Sequence, residues 1–418
     1  MFYKETDFQN SPIGKIPKDW EVGDTSLINV LKGYAFSSEF FNGKKDGIPL
    51  IRIRDLGKKE TESYYSGPYD PAYLVKKGDI LISMDGEFNV RLWDGPEGLL
   101  NQRVCKVLSK EPTRLDNLFF FYELQKPLKM MESQISQTTV KHLLDRDLER
   151  IKIPLPPIEE QGLVVGVLGV VDSAIGLVDR VIWKTERLKK GLMQELLTKG
   201  IEHKEYKDTQ IGKTPKTWQI VKLGEILADV KYGTSMKANS NGQGLPVLGI
   251  PNILGGKIDE TNLRYVDLLE SERRNLTLED GDILLVRTNA NPDYIGRCAL
   301  FQNMDGTWLY ASYLIRIRPN KRKVSPAYLV KFLQSEKARK QFLSIARTSA
   351  GNYNINSQGV RAVTVSLPSL PEQQRIAEIL SVVDKKLEFE REEKAKLERI
   401  ERGLMDLLLT GRVRIKAD

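Results

Sequence analysis

The chain is written twice, with a period of about 200 residues, and a repeat that long is a duplicated domain rather than a solenoid unit. Ile13-Gly14-Lys15-Ile16-Pro17-Lys18-Asp19-Trp20 returns as Ile211-Gly212-Lys213-Thr214-Pro215-Lys216-Thr217-Trp218. Tyr3-Lys4-Glu5-Thr6 is matched to Tyr206-Lys207-Asp208-Thr209, which implies a short insertion in the first copy. Gly78-Asp79-Ile80-Leu81 pairs with Gly281-Asp282-Ile283-Leu284. The closing block of each copy aligns without a gap, from Leu155-Pro156…Glu160-Gln161 on Leu367-Pro368…Glu372-Gln373 to Leu196-Leu197-Thr198 on Leu408-Leu409-Thr410. Roughly 17 of its 46 positions are identical. Tails that stay alike while heads diverge are expected if the heads read different things.

Each head has the pattern of a mixed α/β domain. Ile48–Ile53, Asp79–Ser83, Asp282–Arg287 and Tyr313–Ile317 are short runs rich in β-branched residues, separated by glycine-rich turns. Asp116–Met131 in the first copy, and a segment from Ser325-Pro326 to about Arg347 in the second, have helical composition. Each tail is expected to be one long helix. Leu168, Val171, Ile175, Val178, Ile182, Leu188, Leu192 and Leu196 form an apolar seam in the first tail. Leu380, Val383, Leu387, Leu397, Ile400, Leu404 and Leu408 do so in the second. Ser369-Leu370-Pro371-Glu372 fits a capping box, and Gly200 and Gly411 fit C-caps. The expected class is α+β: two similar domains, 1–154 and 201–366, separated by helical spacers, 155–200 and 367–418. The spacers would pack as an antiparallel coiled coil about an approximate internal two-fold axis. Leu177, Val181 and Trp183 add apolar bulk beside the first seam, as a partner-docking surface or a contact with a head.

Composition narrows the function. With 64 Lys and Arg against 56 Asp and Glu, the net charge is +8, which favours a polyanionic partner. Only two histidines (His142, His203) and two cysteines (Cys105, Cys298) are present, all scattered. Metal-ligand spacing is missing, and so is a basis for His-centred catalysis. The cysteines are expected to be free structural thiols. No apolar run of the ~20 residues that span a bilayer is evident, and the N-terminus lacks a signal-peptide pattern, so a cytoplasmic address is expected.

Three short matches are decoys. Gly212-Lys213-Thr214 resembles the end of a phosphate loop, but Lys207 stands where that loop needs its first glycine. Asn289-Ala290-Asn291-Pro292 approximates an adenine-methyltransferase motif with the wrong spacing. The Phe119-Phe120-Phe121-Tyr122 run reads as helix core rather than a base-stacking platform.

Over nearly its whole length the chain resembles the specificity subunits of type I restriction–modification systems. The resemblance is carried by Ile13-Gly14-Lys15-Ile16-Pro17…Trp20, Gly33-Tyr34-Ala35-Phe36-Ser37-Ser38…Phe41, the two Gly-Asp-Ile-Leu pieces, and Leu367-Pro368-Ser369-Leu370-Pro371-Glu372-Gln373-Gln374-Arg375-Ile376-Ala377. It implies that each head reads one half of a bipartite duplex DNA site and that the helices fix the unread spacer. It also implies two methyltransferase subunits using S-adenosylmethionine, and motor–nuclease subunits using ATP and Mg²⁺. None of that chemistry or those cofactors would belong to this chain, which would be non-catalytic.

Sequence is read by side chains with donors and acceptors projecting from loops. In the first head the candidates are Lys32, Tyr34, Ser37, Ser38, Ser83, Asn89, Arg91, Thr138 and Thr139. In the second they are Lys231, Tyr232, Thr234, Ser235, Lys237, Arg287, Thr288, Asn289, Arg347, Asn352 and Asn354. Arginines in these loops could equally grip phosphate, which positions without specifying.

Overall fold

The computed structural model describes residues 1–135, 141–302, 304–349 and 351–416. The chain divides into two units, Met1–Asp179 with Glu393–Asp418, and Arg180–Glu392. The division falls inside both long helices, so each unit holds one head and a part of each helix.

In the first unit a four-stranded antiparallel sheet runs in the order Val90–Leu92, Ile80–Ser83, Val104–Ser109, Ile28–Lys32. The helix Asn117–Gln134 packs on it. That helix starts where the Asp116 carboxylate accepts the N–H groups of Leu118 and Phe119. Phe119, Phe120, Phe121 and Tyr122 are buried, as expected of core. The second unit repeats the sheet with Cys298–Leu300, Ile283–Val286, Leu314–Pro319 and Leu227–Tyr232. In both heads a smaller sheet includes one parallel pair, Ile48–Ile51 with Gly98–Leu100 and Leu245–Leu248 with Leu309–Tyr310. The segment of helical composition after Ser325 forms two helices, Pro326–Leu333 and Glu336–Ile345. Ser335 ends the first by capping the second, its hydroxyl accepting from the Ala338 N–H. Cys105 and Cys298 are free and buried.

The long helices span Ile158–Lys199 and Leu370–Leu408, with 42 and 39 residues. At 1.5 Å per residue they are about 63 and 58 Å long. Each is followed by a glycine in the left-handed region, Gly200 (φ 70°) and Gly411 (φ 67°). In the first unit the start of one helix lies beside the end of the other, with Lys394 Nζ 2.6 Å from Asp179. In the second unit the end of the first helix lies beside the start of the second, with Lys189 Nζ 2.6 Å from Asp384 and Arg391 2.6 Å from Glu186. The pairing is antiparallel in each. Leu168, Leu196, Leu380, Val383, Leu387 and Leu408 are buried as the periodicity requires. Leu188 and Ile400 were expected in the seam but are exposed. The step from Ile182 to Leu188 is not a three- or four-residue step, and Ile400 holds the same place in the second copy. The seam is instead interrupted by a buried polar contact, Thr185 Oγ1 donating to Glu390 at 3.2 Å. A stretch of the first helix has mean hydropathy 1.9 and is long and apolar enough to cross a membrane by length and composition. It is not an unbroken apolar run, because Gly162, Gly166, Gly169, Gly176 and Asp172 interrupt it.

The Glu-Gln pair that opens each tail is the joint between tail and head. The Gln161 Oε1 accepts from the Asp116 N–H at 2.8 Å, and its Nε2 donates to the carbonyls of Arg114 (2.7 Å) and Pro156 (2.9 Å). Gln373 repeats this with the Ser325 N–H (2.8 Å) and the carbonyls of Lys323 (3.4 Å) and Pro368 (2.9 Å). Both amides are fully buried and use donor and acceptor ends on backbone groups otherwise left unpaired. The glutamates receive the tryptophan indoles, Trp20 Nε1 to Glu160 at 3.3 Å and Trp218 Nε1 to Glu372 at 3.0 Å. A side chain from beyond the end of the other long helix completes each pocket. Arg414 meets Glu160 through Nε (3.0 Å) and Nη2 (2.7 Å), and His203 Nε2 lies 2.8 Å from Glu372. The expected capping box is therefore absent: Glu372 is turned toward Trp218, His203 and the Ile201 N–H.

The opening of each copy also aligns differently from the sequence match. Gln9 and Lys207 occupy equivalent hairpin positions, donating to the Trp20 and Trp218 carbonyls at 2.9 and 2.7 Å. Phe8-Gln9, not Tyr3-Lys4, is thus the counterpart of Tyr206-Lys207, and no insertion separates the pieces. Phe2–Lys4 is an additional strand, paired with Val413–Ile415.

One three-residue contact differs between the units in a way that predicts a pH effect. In the second unit Asp384 is held by Lys189 and Lys331; burial pushes its carboxyl up, but the two lysines outweigh this and hold it below the usual range. In the first unit the corresponding places are Asp172, Glu401 and Tyr122, and Tyr122 Oη donates to Asp172 at 2.5 Å. Burial, then Asp172 and Glu398, push Glu401 up to about 7, against a smaller opposing pull from Arg402. A carboxyl raised in the folded state binds more protons there than unfolded, so stability falls as pH rises from about 4.5 through 7. Glu401→Gln is expected to stabilise the first unit at pH 8 by on the order of 1 kcal/mol, after allowance for screening of a half-exposed group. The gain should vanish near pH 4.5 in thermal unfolding scans, and a gain independent of pH contradicts the assignment.

Candidate nucleic-acid interface

In each unit, loops at the ends of the main sheet are tied together by the same backbone hydrogen bonds. In the first, the Tyr34 N–H donates to the Leu100 carbonyl (3.0 Å), Gln102 to Tyr34 (2.9 Å), Met84 to Arg103 (2.8 Å) and Leu143 to Met84 (2.8 Å). In the second, Thr234 donates to Tyr310 (2.9 Å), Ser312 to Thr234 (2.7 Å), Arg287 to Tyr313 (3.0 Å) and Ile355 to Arg287 (2.8 Å). Gly33 and Gly233 make the frame possible. A Cβ there would stand 2.0 Å from the Asn101 carbonyl oxygen and 2.2 Å from that of Tyr310, so only glycine lets the loop leave the strand.

In the second unit this frame brings together most of the candidates read from sequence. Thr288-Asn289, Asn352–Asn354 and Arg347–Ser349 form a three-stranded sheet, with Thr288 opposite Asn354 and Arg347 opposite Asn354 on the other side. Arg347 and Asn352 are exposed, and Thr288, Asn289 and Asn354 half-buried. Arg287 is pinned. Its guanidinium lies 4.8 Å from the Tyr232 ring centroid and donates to the Ser312 carbonyl at 3.0 Å. The Tyr232 hydroxyl accepts from the Ser357 N–H at 2.8 Å. Thr234 is buried and its hydroxyl accepts from the Met236 N–H. Arg287, Tyr232 and Thr234 therefore hold the loops in place. Ser235 and Lys237 are exposed, and Lys231 Nζ lies 3.2 Å from Asn275 Oδ1.

In the first unit Tyr34 is exposed and packs its ring 5.1 Å from Phe36 and 5.3 Å from Tyr73. Lys32, Ser37 and Ser38 are exposed, with Ser37 Oγ donating to Glu39 at 2.8 Å. Ser83 is fully buried; it donates to the Glu87 carbonyl and accepts from the Asn89 N–H, so it closes a turn rather than presenting a group to a ligand. Asn89 is half-buried within that turn, and Arg91 stands on the edge strand with Nη1 on the Val90 carbonyl at 2.9 Å. Thr138 and Thr139 lie outside the described residues.

The sequence reading missed Arg103, Asp85 and His142. Arg103 ion-pairs with Asp85, whose other oxygen lies 2.7 Å from His142 Nδ1. Burial pushes the Asp85 carboxyl up, but Arg103 and His142 outweigh it and hold the group below the ordinary carboxylate range. Arg103 sits in a strand-like stretch, and nothing in Arg103-Val104-Cys105 signals its left-handed backbone (φ 71°). Among the described residues no cluster of three or more His, Cys, Asp or Glu could hold a metal ion.

The family model for the type I restriction modification DNA specificity domain matches the chain twice, over residues 17–183 and 215–399. The type I restriction enzyme MjaVIII specificity subunit of Methanocaldococcus jannaschii is 30% identical over 100% of this chain and 98% of its own length. The EcoBI specificity subunit of Escherichia coli is 29% identical over 84% of this chain and 76% of its own. Among solved structures, a type I restriction–modification S subunit from M. genitalium covers 93% of this chain and 96% of its own, with TM-score 0.59 and 17% identity. A chain from a study of assembly and conformational transition in the type I system covers 95% and 99%, with TM-score 0.51 and 17% identity.

Proposed function

The chain belongs to the type I restriction–modification DNA specificity family, and on that premise we propose that it reads a split duplex target with two target-recognition domains, 1–154 and 201–366. The segments 155–200 and 367–418 are the helical spacers that set the distance between the halves. The chain is the non-catalytic recognition subunit. Methyl transfer with S-adenosylmethionine, and ATP- and Mg²⁺-dependent translocation and cutting, belong to methyltransferase and motor–nuclease partners in the cytoplasm. The observation that carries this reading is the pair of loop frames: the same backbone hydrogen bonds hold different exposed side chains in the two units. A shared frame with divergent groups suits two half-sites of different sequence.

The long helices offer docking surfaces for two methyltransferase subunits. Leu177, Val181 and Trp183 are exposed on the first, with Arg187 over the Trp183 ring at 4.8 Å. Val170 and Leu177 on the first helix recur as Val382 and Phe389 on the second, all exposed. By spacing, each set shares one face of its helix. A surface written twice fits two copies of one partner.

The test is a filter-binding series with the chain assembled on its methyltransferase subunits. Affinity for duplex DNA should fall steeply as salt rises from 50 to 200 mM, by roughly a hundredfold or more, as counterion release requires. Binding that ignores salt, or no binding with the methyltransferase subunits present, contradicts the reading.

A further inference from the structure

We propose that Arg103 is a specificity-determining residue of the first domain, reading the major-groove edge of a guanine, and that Tyr313 is its counterpart in the second domain. This rests on the DNA-reading function above and assigns one half-site position to a named side chain.

Arg103 lies where the loops of the first unit converge. Its carbonyl accepts the Met84 N–H, and Val104 beside it accepts the Gly33 N–H at 2.9 Å. It is the third residue of a turn closed by the Val104 N–H on the Asn101 carbonyl at 3.3 Å, with φ 71°, a backbone conformation few L-residues adopt. Its side chain is 57% exposed. The turn fixes the backbone and leaves the side chain projecting.

The guanidinium is aimed. Nη1 donates to Asp85, and Asp85 is itself fixed by His142. Among the described residues no acceptor meets Nη2 or Nε of Arg103. Two parallel N–H donors on a held, planar fork match guanine O6 and N7. A phosphate is a poorer fit, because the Asp85 carboxylate beside the fork would repel a second anion, whereas a base edge carries no net charge.

The second unit supplies the control. Its frame places Tyr313 where Arg103 stands, through the Arg287 N–H to Tyr313 carbonyl bond, and Tyr313 is likewise exposed. Asp85, bridged to His142, becomes Thr288, paired with Asn354. The orienting carboxylate and imidazole change together with the residue they orient. A residue kept for folding would not need to differ between two equivalent frames, whereas one that reads a base would.

The experiment is mapping of methylated adenines in cells carrying the complete system, with this chain as wild type, Arg103→Lys, Arg103→Ala or Tyr313→Ala. Arg103→Lys keeps the charge and loses the fork. Both Arg103 variants should relax one G·C position in one half-site, with discrimination there falling roughly ten- to hundredfold. The other half should be unchanged, and Tyr313→Ala should alter only that other half. An Arg103→Lys motif identical to wild type overturns the proposal, as does a uniform loss across all sequences, which marks a phosphate contact. If the wild type itself yields no split motif, the DNA-reading function fails; a normal wild-type motif that neither Arg103 variant changes rejects this inference alone.

Discussion

Replacing Arg414 with alanine is expected to cost the first unit roughly 3–5 kcal/mol, the penalty for stripping the partner from a buried charge. Arg414 is 8% exposed and is bound by three carboxylates: Glu160, Asp19 through both oxygens at 2.7 Å, and Glu5 at 2.9 Å. Of these, Glu160 is buried and keeps only the Trp20 indole once the arginine is gone. The unfolding transition of the first unit should drop by on the order of 10 °C. Lys18→Ala, which removes an ion pair to Asp7 with both partners exposed, should cost less than about 1 kcal/mol. The double variant Glu160→Gln/Arg414→Met removes both charges and should recover much of the loss. Equal, small effects of Arg414→Ala and Lys18→Ala would show that the joint is not electrostatic.

The same joint sets an acid limit. The Asp7 N–H, with Arg414 and the Thr6 N–H, lowers Glu5 to about 2. A depressed carboxyl contributes stability that is complete above its unfolded value near 4.5 and is lost as pH falls toward 2. This is opposite in sign to the Glu401 effect, which removes stability as pH rises from about 4.5 through 7.

Arg414 also shows where sequence reasoning runs out. The two tails were legible because an apolar stripe at three- and four-residue steps has few alternatives to a helix, and because the stripe occurs twice. Strands such as Ile80–Ser83 and Ile283–Val286 were legible as short β-branched runs between turns. The Glu-Gln pairs were visible as motif, but their work was not. Gln161 bonds Asp116 and Arg114, and Glu160 bonds Arg414 and Trp20, partners that the fold alone brings close. The loop candidates divided for a related reason. Donor-bearing residue types could be read in Ser83, Thr234 and Arg287, but inward orientation could not, since it depends on the turn each side chain closes. Arg103 was passed over because its neighbours look like strand and its positive φ has no sequence signature.

The largest functional effect is expected from changing the length of the spacers. The helices of 42 and 39 residues run from one recognition domain to the next along the chain, and each unit pairs them antiparallel. Four residues inserted into each, between Asp179 and Arg180 and between Glu392 and Glu393, would lengthen both by about 6 Å. At 3.4 Å per base pair that is about two base pairs. The insertion leaves every loop of both frames untouched. Mapping the methylated sites of cells carrying this variant should return the same two half-sites separated by about two more base pairs. The same half-sites at the original spacing would contradict the claim that the helices measure the distance between them.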